Sequence, residues 1–241
     1  MNDDPKLQKS SAMHRQTIFF LSFMLLIITV RAQKFELAAS IGMGTYSMKD
    51  LKQINKNALE ILPFEAQITN EFPPWIQYRA SVVYNLHDKY KFGIVYIHNS
   101  TGSRISSKDY SGEYSFDNLL TGNSAGILLG MNLFRMQRFT IDLDAIFGGI
   151  FTRFVNKEQL AVADTVISAT STFNSTSFFC NPELEFTYSF PVVNAGAFFG
   201  YMLDAGGKST WSNWSGMRLG VFVAMRFPYT IETKGKKEED K

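Results

Sequence analysis

The sequence predicts an all-β fold, a transmembrane antiparallel up-and-down β-barrel of about eight strands. Two observations carry that expectation. Apolar and polar residues alternate with a period of two along much of the chain, and the segments between alternating runs are in turn long and short. A third observation excludes the other membrane architecture: past residue 32 no apolar run approaches the length of a transmembrane helix. Composition agrees, with 22 Phe, 10 Tyr, only 7 Pro and 19% charged residues among 241. Mean hydropathy is near zero, too polar for a helical bundle. A net charge of +2 leaves no electrostatic footprint for nucleic acid, and a single cysteine, Cys180, excludes an internal disulfide.

Residues 1–32 read as an N-terminal extension and a cleavable signal peptide. Arg15 supplies the positive end, residues 18–30 the short apolar stretch, and Val30 and Ala32 the small-residue cleavage positions before Gln33. Met13 competes with Met1 as the start, because residues 1–12 are polar and include Asp3 and Asp4. The barrel is expected over 33–229, followed by a polar tail, 230–241, whose charges alternate in sign.

Strands are expected at 34–44, 75–85, 91–99, 124–134, 139–147, 178–190, 192–204 and 217–227. The last is the clearest: Met217, Leu219, Val221, Val223, Met225 and Phe227 share one phase, and Arg218, Gly220, Phe222, Ala224 and Arg226 the other. In the fifth strand Phe139, Ile141, Leu143 and Phe147 oppose Thr140, Asp142 and Asp144. In the sixth, Phe178, Cys180, Leu184, Phe186 and Tyr188 oppose Asn181, Glu183, Glu185 and Thr187. Pro182 interrupts that strand and predicts a bulge or a break. Residues 48–72, 102–120, 156–171 and 205–213 are read as long loops on one side of the barrel. Tight turns at 86–90, 135–137 and Pro191 lie on the other, where an even strand count returns both termini. Within the first loop residues 48–62 have a helical rhythm, with Leu51, Ile54, Ala58, Leu59 and Leu62 on one side, suiting either a lid or an interfacial helix. Trp75, Tyr84, Tyr90, Tyr188, Tyr201, Trp211 and Trp214 fall near strand ends and suggest two aromatic girdles.

Two segments, 44–51 after the first strand and 101–114 after the third, have the character of extracellular connections in small outer-membrane β-barrel proteins of Gram-negative bacteria. Over 33–229 the chain resembles that family, in shape like the transmembrane domain of outer membrane protein A. The resemblance implies an outer-membrane location and outer-membrane lipid as partner, and no activity comes with it. The sequence departs from the commonest pattern in that a polar tail follows Phe227.

No constellation in the chain is strong enough to establish a reaction. The polar phase of a barrel faces its lumen, so Glu36, Arg79, Asp142, Asp144, Glu183, Glu185, Arg218 and Arg226 are expected to meet there, with Glu36 beside Arg226 where the barrel closes. The plain reading is an ion-pair network plugging a narrow lumen; the sharper one is a cation-preferring pore. His98 and Ser100, with Glu113 in the following loop, have the residue types of a lipid A-modifying hydrolase triad, with His98 in the lipid-facing phase. His87 sits in a turn, and no paired His or Cys suggests a metal; no cofactor is expected. Tyr110, Tyr114 and Phe116 form a candidate binding surface for an unknown extracellular ligand or surface. The reading is a monomeric barrel with a structural, adhesive or ligand-binding role through its loops; a secreted soluble barrel holding a small ligand is the remaining alternative.

Overall fold

The computed structural model describes residues 35–86, 89–110, 112–162, 165–205 and 212–227. The leader, His87, Trp211, the Trp75 side chain and the polar tail lie outside the described residues. Among the described residues nine strands form one antiparallel sheet: β1 (Phe35–Gly44), β2 (Gln67–Glu71), β3 (Trp75–Leu86), β4 (Tyr90–Lys108), β5 (Gly112–Met136), β6 (Phe139–Val162), β7 (Thr165–Ser189), β8 (Val193–Asp204) and β9 (Gly216–Phe227). A helix, α1 (Lys49–Ile61), follows β1.

The sheet closes on itself. β1 pairs with β3 on one side and β9 on the other, and β4 pairs with both β3 and β5, so every strand except the short β2 belongs to the ring. The register across the closure is unbroken from Phe35↔Phe227 to Gly44↔Arg218. Within the ring, closure leaves these strands no free edge, which is what a backbone in hydrocarbon requires.

The ring is lopsided. β1, β3, β8 and β9 have 10, 12, 12 and 12 residues, enough for one hydrocarbon thickness when tilted, whereas β4, β5, β6 and β7 have 19, 25, 24 and 25. The surplus continues upward as a free-standing antiparallel sheet in the order β2–β4–β5–β6–β7. Two of the expected long loops are therefore corrected: 102–120 and 156–171 are hairpins whose ladders run to Lys108↔Glu113 and Val162↔Thr165. At the other end the connection between β5 and β6 is tight, with Gln137 in the left-handed region at φ 49°.

Pro182 neither bulges nor breaks β7. Its missing N–H falls on the β8 side, where the ladder skips from Cys180↔Leu203 to Glu183↔Gly200 without changing register. The shifts that do occur lie at Thr69 in β2 and Leu133 in β5. α1 is a lid. Leu51 and Asn55 are fully buried, and the Asn55 Oδ1 accepts hydrogen bonds from Asn118 Nδ2 at 2.8 Å and Ser103 Oγ at 3.4 Å. The buried stripe runs through Leu51 and Asn55, while Ile54, expected on it, is exposed.

Candidate functional site

The two faces of the ring have opposite chemistry. Outward, Leu37, Ile41, Val82, Phe92, Ile94, Ile127, Phe147, Leu219, Val221 and Val223 are all exposed, forming an apolar band around the wall. Inward, Arg79, Asp142, Asp144, Glu183 and Glu185 are each less than 8% exposed. A water-soluble protein puts these classes the other way round, and an apolar belt of this extent is incompatible with water. This is a transmembrane β-barrel of the outer-membrane type. The secreted soluble barrel is thereby excluded, since it needs its apolar phase inside. Tyr90, Tyr188 and Tyr201 point outward from the wall as a girdle would have them, but Trp214 does not: it is fully buried in the lumen. Introducing arginine at Val221, in the middle of the belt, is expected to cost about 2–4 kcal/mol. Refolding into lipid vesicles across a urea series measures it; an unchanged midpoint would contradict the lipid-facing assignment.

The lower lumen of the barrel is a layer of ion pairs. The register places Asp142 opposite Glu185 and Asp144 opposite Glu183, so four carboxylates converge from two adjacent strands. Such crowding is tolerable only with cations between them. Arg79 of β3 contacts Glu183 directly and approaches Glu185 at 3.5 Å. Lys91 of β4, which the sequence reading missed, is the hub: its Nζ lies 2.7 Å from Asp142, 2.9 Å from Glu185 and 3.8 Å from Asp144. Asn132 donates to Asp142 at 2.9 Å, Asn181 to Glu183 at 3.0 Å and Thr187 to Glu185 at 3.3 Å. The Asp144 oxygens accept no hydrogen bond. Glu36 stands at the lower mouth, opposite Arg226 in the ladder, with Arg226 Nε at 3.8 Å and amide donors from Asn85 at 3.4 Å and Asn194 at 3.2 Å.

Arg218 does not join this network. It is fully buried at the upper end, where its guanidinium donates to the carbonyls of Thr45 and Trp214, both at 2.8 Å, and lies over the Tyr46 ring at 4.9 Å. It thus ties the chain after β1 to the chain before β9. Beside it Trp214 donates from Nε1 to Thr152 Oγ1 at 2.8 Å and meets Tyr46 edge-on, with ring centroids 5.0 Å apart. Gly122 makes room for the indole: a Cβ there would fall 2.8 Å from it. Met48, Leu51 and Phe72 complete an apolar plug over the ion pairs. Within the ion-pair layer the lumen holds a cavity of about 20 Å³ beside Lys91, Asp144 and Glu185, roughly one water in size. A second, about 70 Å³, opens at the lower mouth beside Glu36 and Arg226.

Asp144, Glu183 and Glu185 bring carboxylate oxygens within 4.8 Å of one another, but a metal there would compete with Arg79 and Lys91 for the same atoms. The hydrolase triad is not assembled. His98 and Ser100 share the outer face of β4, whereas Glu113 pairs with Lys108, ten positions further along the ladder and roughly 33 Å away. The partner of His98 Nδ1 is the Asn123 Oδ1 at 2.9 Å, which also accepts from the Tyr96 hydroxyl at 2.7 Å. Nor do the three aromatics of the second connection share one exposed face. Tyr110 is fully exposed at the turn, while Tyr114 is buried beneath Phe64 and Phe116, of the same phase, is half-buried. The Tyr114 hydroxyl donates to Glu158 at 3.1 Å, and burial together with that carboxylate pushes its phenol up to about 12.

Outside the lumen a cleft of about 540 Å³ lies where neither β2 nor β3 forms a ladder with Ser100–Gly102 of β4. Pro73, Leu119, Lys157 and the Arg104–Asp117 pair line it.

No protein-family model and no curated protein matches the chain. Among solved structures it is similar to the Neisserial surface protein A, at 14% identity and a TM-score of 0.40, over 80% of this chain and 96% of that one. It is likewise similar to Ail, the attachment invasion locus protein of Yersinia pestis, at 13% and 0.41, over 80% and 99%. The outer membrane protein OprG of Pseudomonas aeruginosa gives 12% and 0.37, over 81% and 93%. What places the barrel in lipid is its own surface.

Proposed function

We propose that the barrel is an anchor and that its contact surface is the sheet that rises above it, in an adhesive or ligand-binding role at the cell surface. The observation that carries this reading is the contrast between the two ends of the long strands. Below, the lumen is filled by the Lys91 and Arg79 ion pairs and capped by Trp214, Met48 and Leu51, an arrangement that suits rigidity better than passage. Above, β6 and β7 expose both faces, with Leu160, Val162, Val166 and Ile167 in water, and the 540 Å³ cleft opens on the β4–β5 side of the same extension. Outer-membrane lipid would be the belt's partner, and an extracellular ligand or surface the partner of the extension.

The test is to replace residues 156–171 by a short turn. The shortened protein is expected to keep its heat-modifiable mobility on gels, because the ring below is untouched, while cells carrying it lose attachment to surfaces or to one another. Attachment equal to the full-length protein would overturn the reading. So would steady single-channel steps from the intact protein in planar bilayers, which would favour the cation-preferring pore that the carboxylates otherwise suggest.

A further inference from the structure

We infer that the edge of β7 above the membrane, unpaired among the described residues, pairs antiparallel with the same edge of a second copy of this chain. The inference rests on reading the extension as the contact surface, and it names the partner.

β7 pairs with β6 along its whole length but meets β8 only from Phe179 onward. Above that point the described residues that follow β8 touch β7 through two bonds, the Ala205 N–H to the Phe178 carbonyl at 2.8 Å and, between side chains, Ser212 Oγ to Ser175 Oγ at 3.2 Å; the Ala205 bond is the backbone one. That bond fixes which peptide groups face outward. Backbone direction alternates along a strand, so with Phe178 the residues Val166, Ser168, Thr170, Thr172, Asn174 and Thr176 turn N–H and C=O to the open side. Groups at this regular spacing are matched by another extended backbone and by little else.

The composition of the edge selects the second copy. Natural edges are protected by lysine, proline, bulges or shortness. Residues 165–177 carry no charge, no proline and no glycine, the ladder with β6 has no register shift there, and nearly all are exposed. The same uncharged edge on a second copy brings no side-chain charge to be repelled or desolvated, whichever residues end up opposite one another. β2, the other free edge of the extension, has five residues and ends on Glu71.

The register follows. Placing the two-fold axis at Ser171 sets Thr170 opposite Thr172 of the second copy, Ser168 opposite Asn174 and Val166 opposite Thr176, so every outward peptide group is used. Phe173, 52% exposed, then packs over Ala169 of the second copy. The two-fold axis of an antiparallel pair is perpendicular to its sheet, and this sheet continues the upright barrel wall. The two copies therefore point in opposite directions, and the pairing joins facing membranes rather than neighbours in one. The sequence alone suggests a monomer; this edge argues for two.

The experiment uses full-length protein with Cys180→Ser, in detergent and in lipid vesicles. Ser171 meets itself at a non-hydrogen-bonded position, Cα atoms about 4.5 Å apart, within disulfide reach. Ser171→Cys is expected to give mostly disulfide-linked dimer on mild oxidation and to cluster vesicles. Ser168→Cys, six positions from its own image, should remain monomeric. Adding Thr170→Pro removes an outward N–H that β6 does not use, so the protein should stay heat-modifiable and lose the dimer. Absence of the Ser171→Cys dimer, equal dimer from Ser168→Cys, or dimers without vesicle clustering would each overturn the inference. If cells still attach while Ser171→Cys protein stays monomeric, the pairing alone is wrong and the adhesive reading stands.

Discussion

Replacing Lys91 with methionine is expected to destabilise the barrel by about 3–5 kcal/mol, the usual cost of removing one partner from a buried ion pair. The methionine conserves volume, so packing is not the cause. Asp142 and Glu185 lose a cation at 2.7 and 2.9 Å, and Asp144, which accepts no hydrogen bond, loses its ion-pair partner at 3.8 Å. The check is the temperature at which the compact gel species converts to the unfolded one. Adding Asp142→Asn and Glu185→Gln should recover part of the loss, because the orphaned charges then disappear. A single variant as stable as the parent would mean that the carboxylates are neutralised by something other than Lys91.

Trp214→Ala is the second. Truncating a fully buried indole leaves a large cavity, and such changes cost about 3–5 kcal/mol. Thr152 Oγ1 also loses its donor. Because Arg218 is held by the Trp214 carbonyl rather than its ring, the tie between the two chain segments should survive, and the ordered lid with it. Planar bilayers with this variant are expected to show no channel steps, since the ion-pair layer lies below and is untouched. Channel steps appearing in this variant would show that the apolar plug is the only barrier, and would move the lower layer from obstruction to pathway.

How much of this was legible in the sequence depended on whether a strand separates two different media. Where one face meets lipid and the other the lumen, alternation is strict, and the phases of β6, β7 and β9 could be read directly, down to the lumen side for Asp142, Asp144, Glu183 and Glu185, whereas the register that sets Asp142 opposite Glu185 could not. Above the membrane both faces meet water, the pattern dissolves, and Ser/Thr/Asn-rich strands such as 165–177 read as loops. Lys91 could have been found, since Phe92, Ile94 and Tyr96 put it in the lumen phase; its place beside a turn disguised it as a turn charge. Trp214 and Arg218 could not, because their partners Thr152, Tyr46 and the Thr45 carbonyl are distant in sequence and only closure of the ring brings them together.

The origin of the lumen charges has a consequence for assembly. The four carboxylates sit on β6 and β7 and the two cations that balance them on β3 and β4, with β5 between. A β6–β7 hairpin entering the bilayer by itself would carry Asp142, Asp144, Glu183 and Glu185 into hydrocarbon with no counter-charge, and a β3–β4 hairpin would carry Arg79 and Lys91 in the same condition. Neither half is a viable stopping point. Insertion hairpin by hairpin is therefore penalised, and the cheapest route is for the strands to curl into a nearly complete ring before any of them crosses, so that charge neutralisation and entry into the membrane become one event.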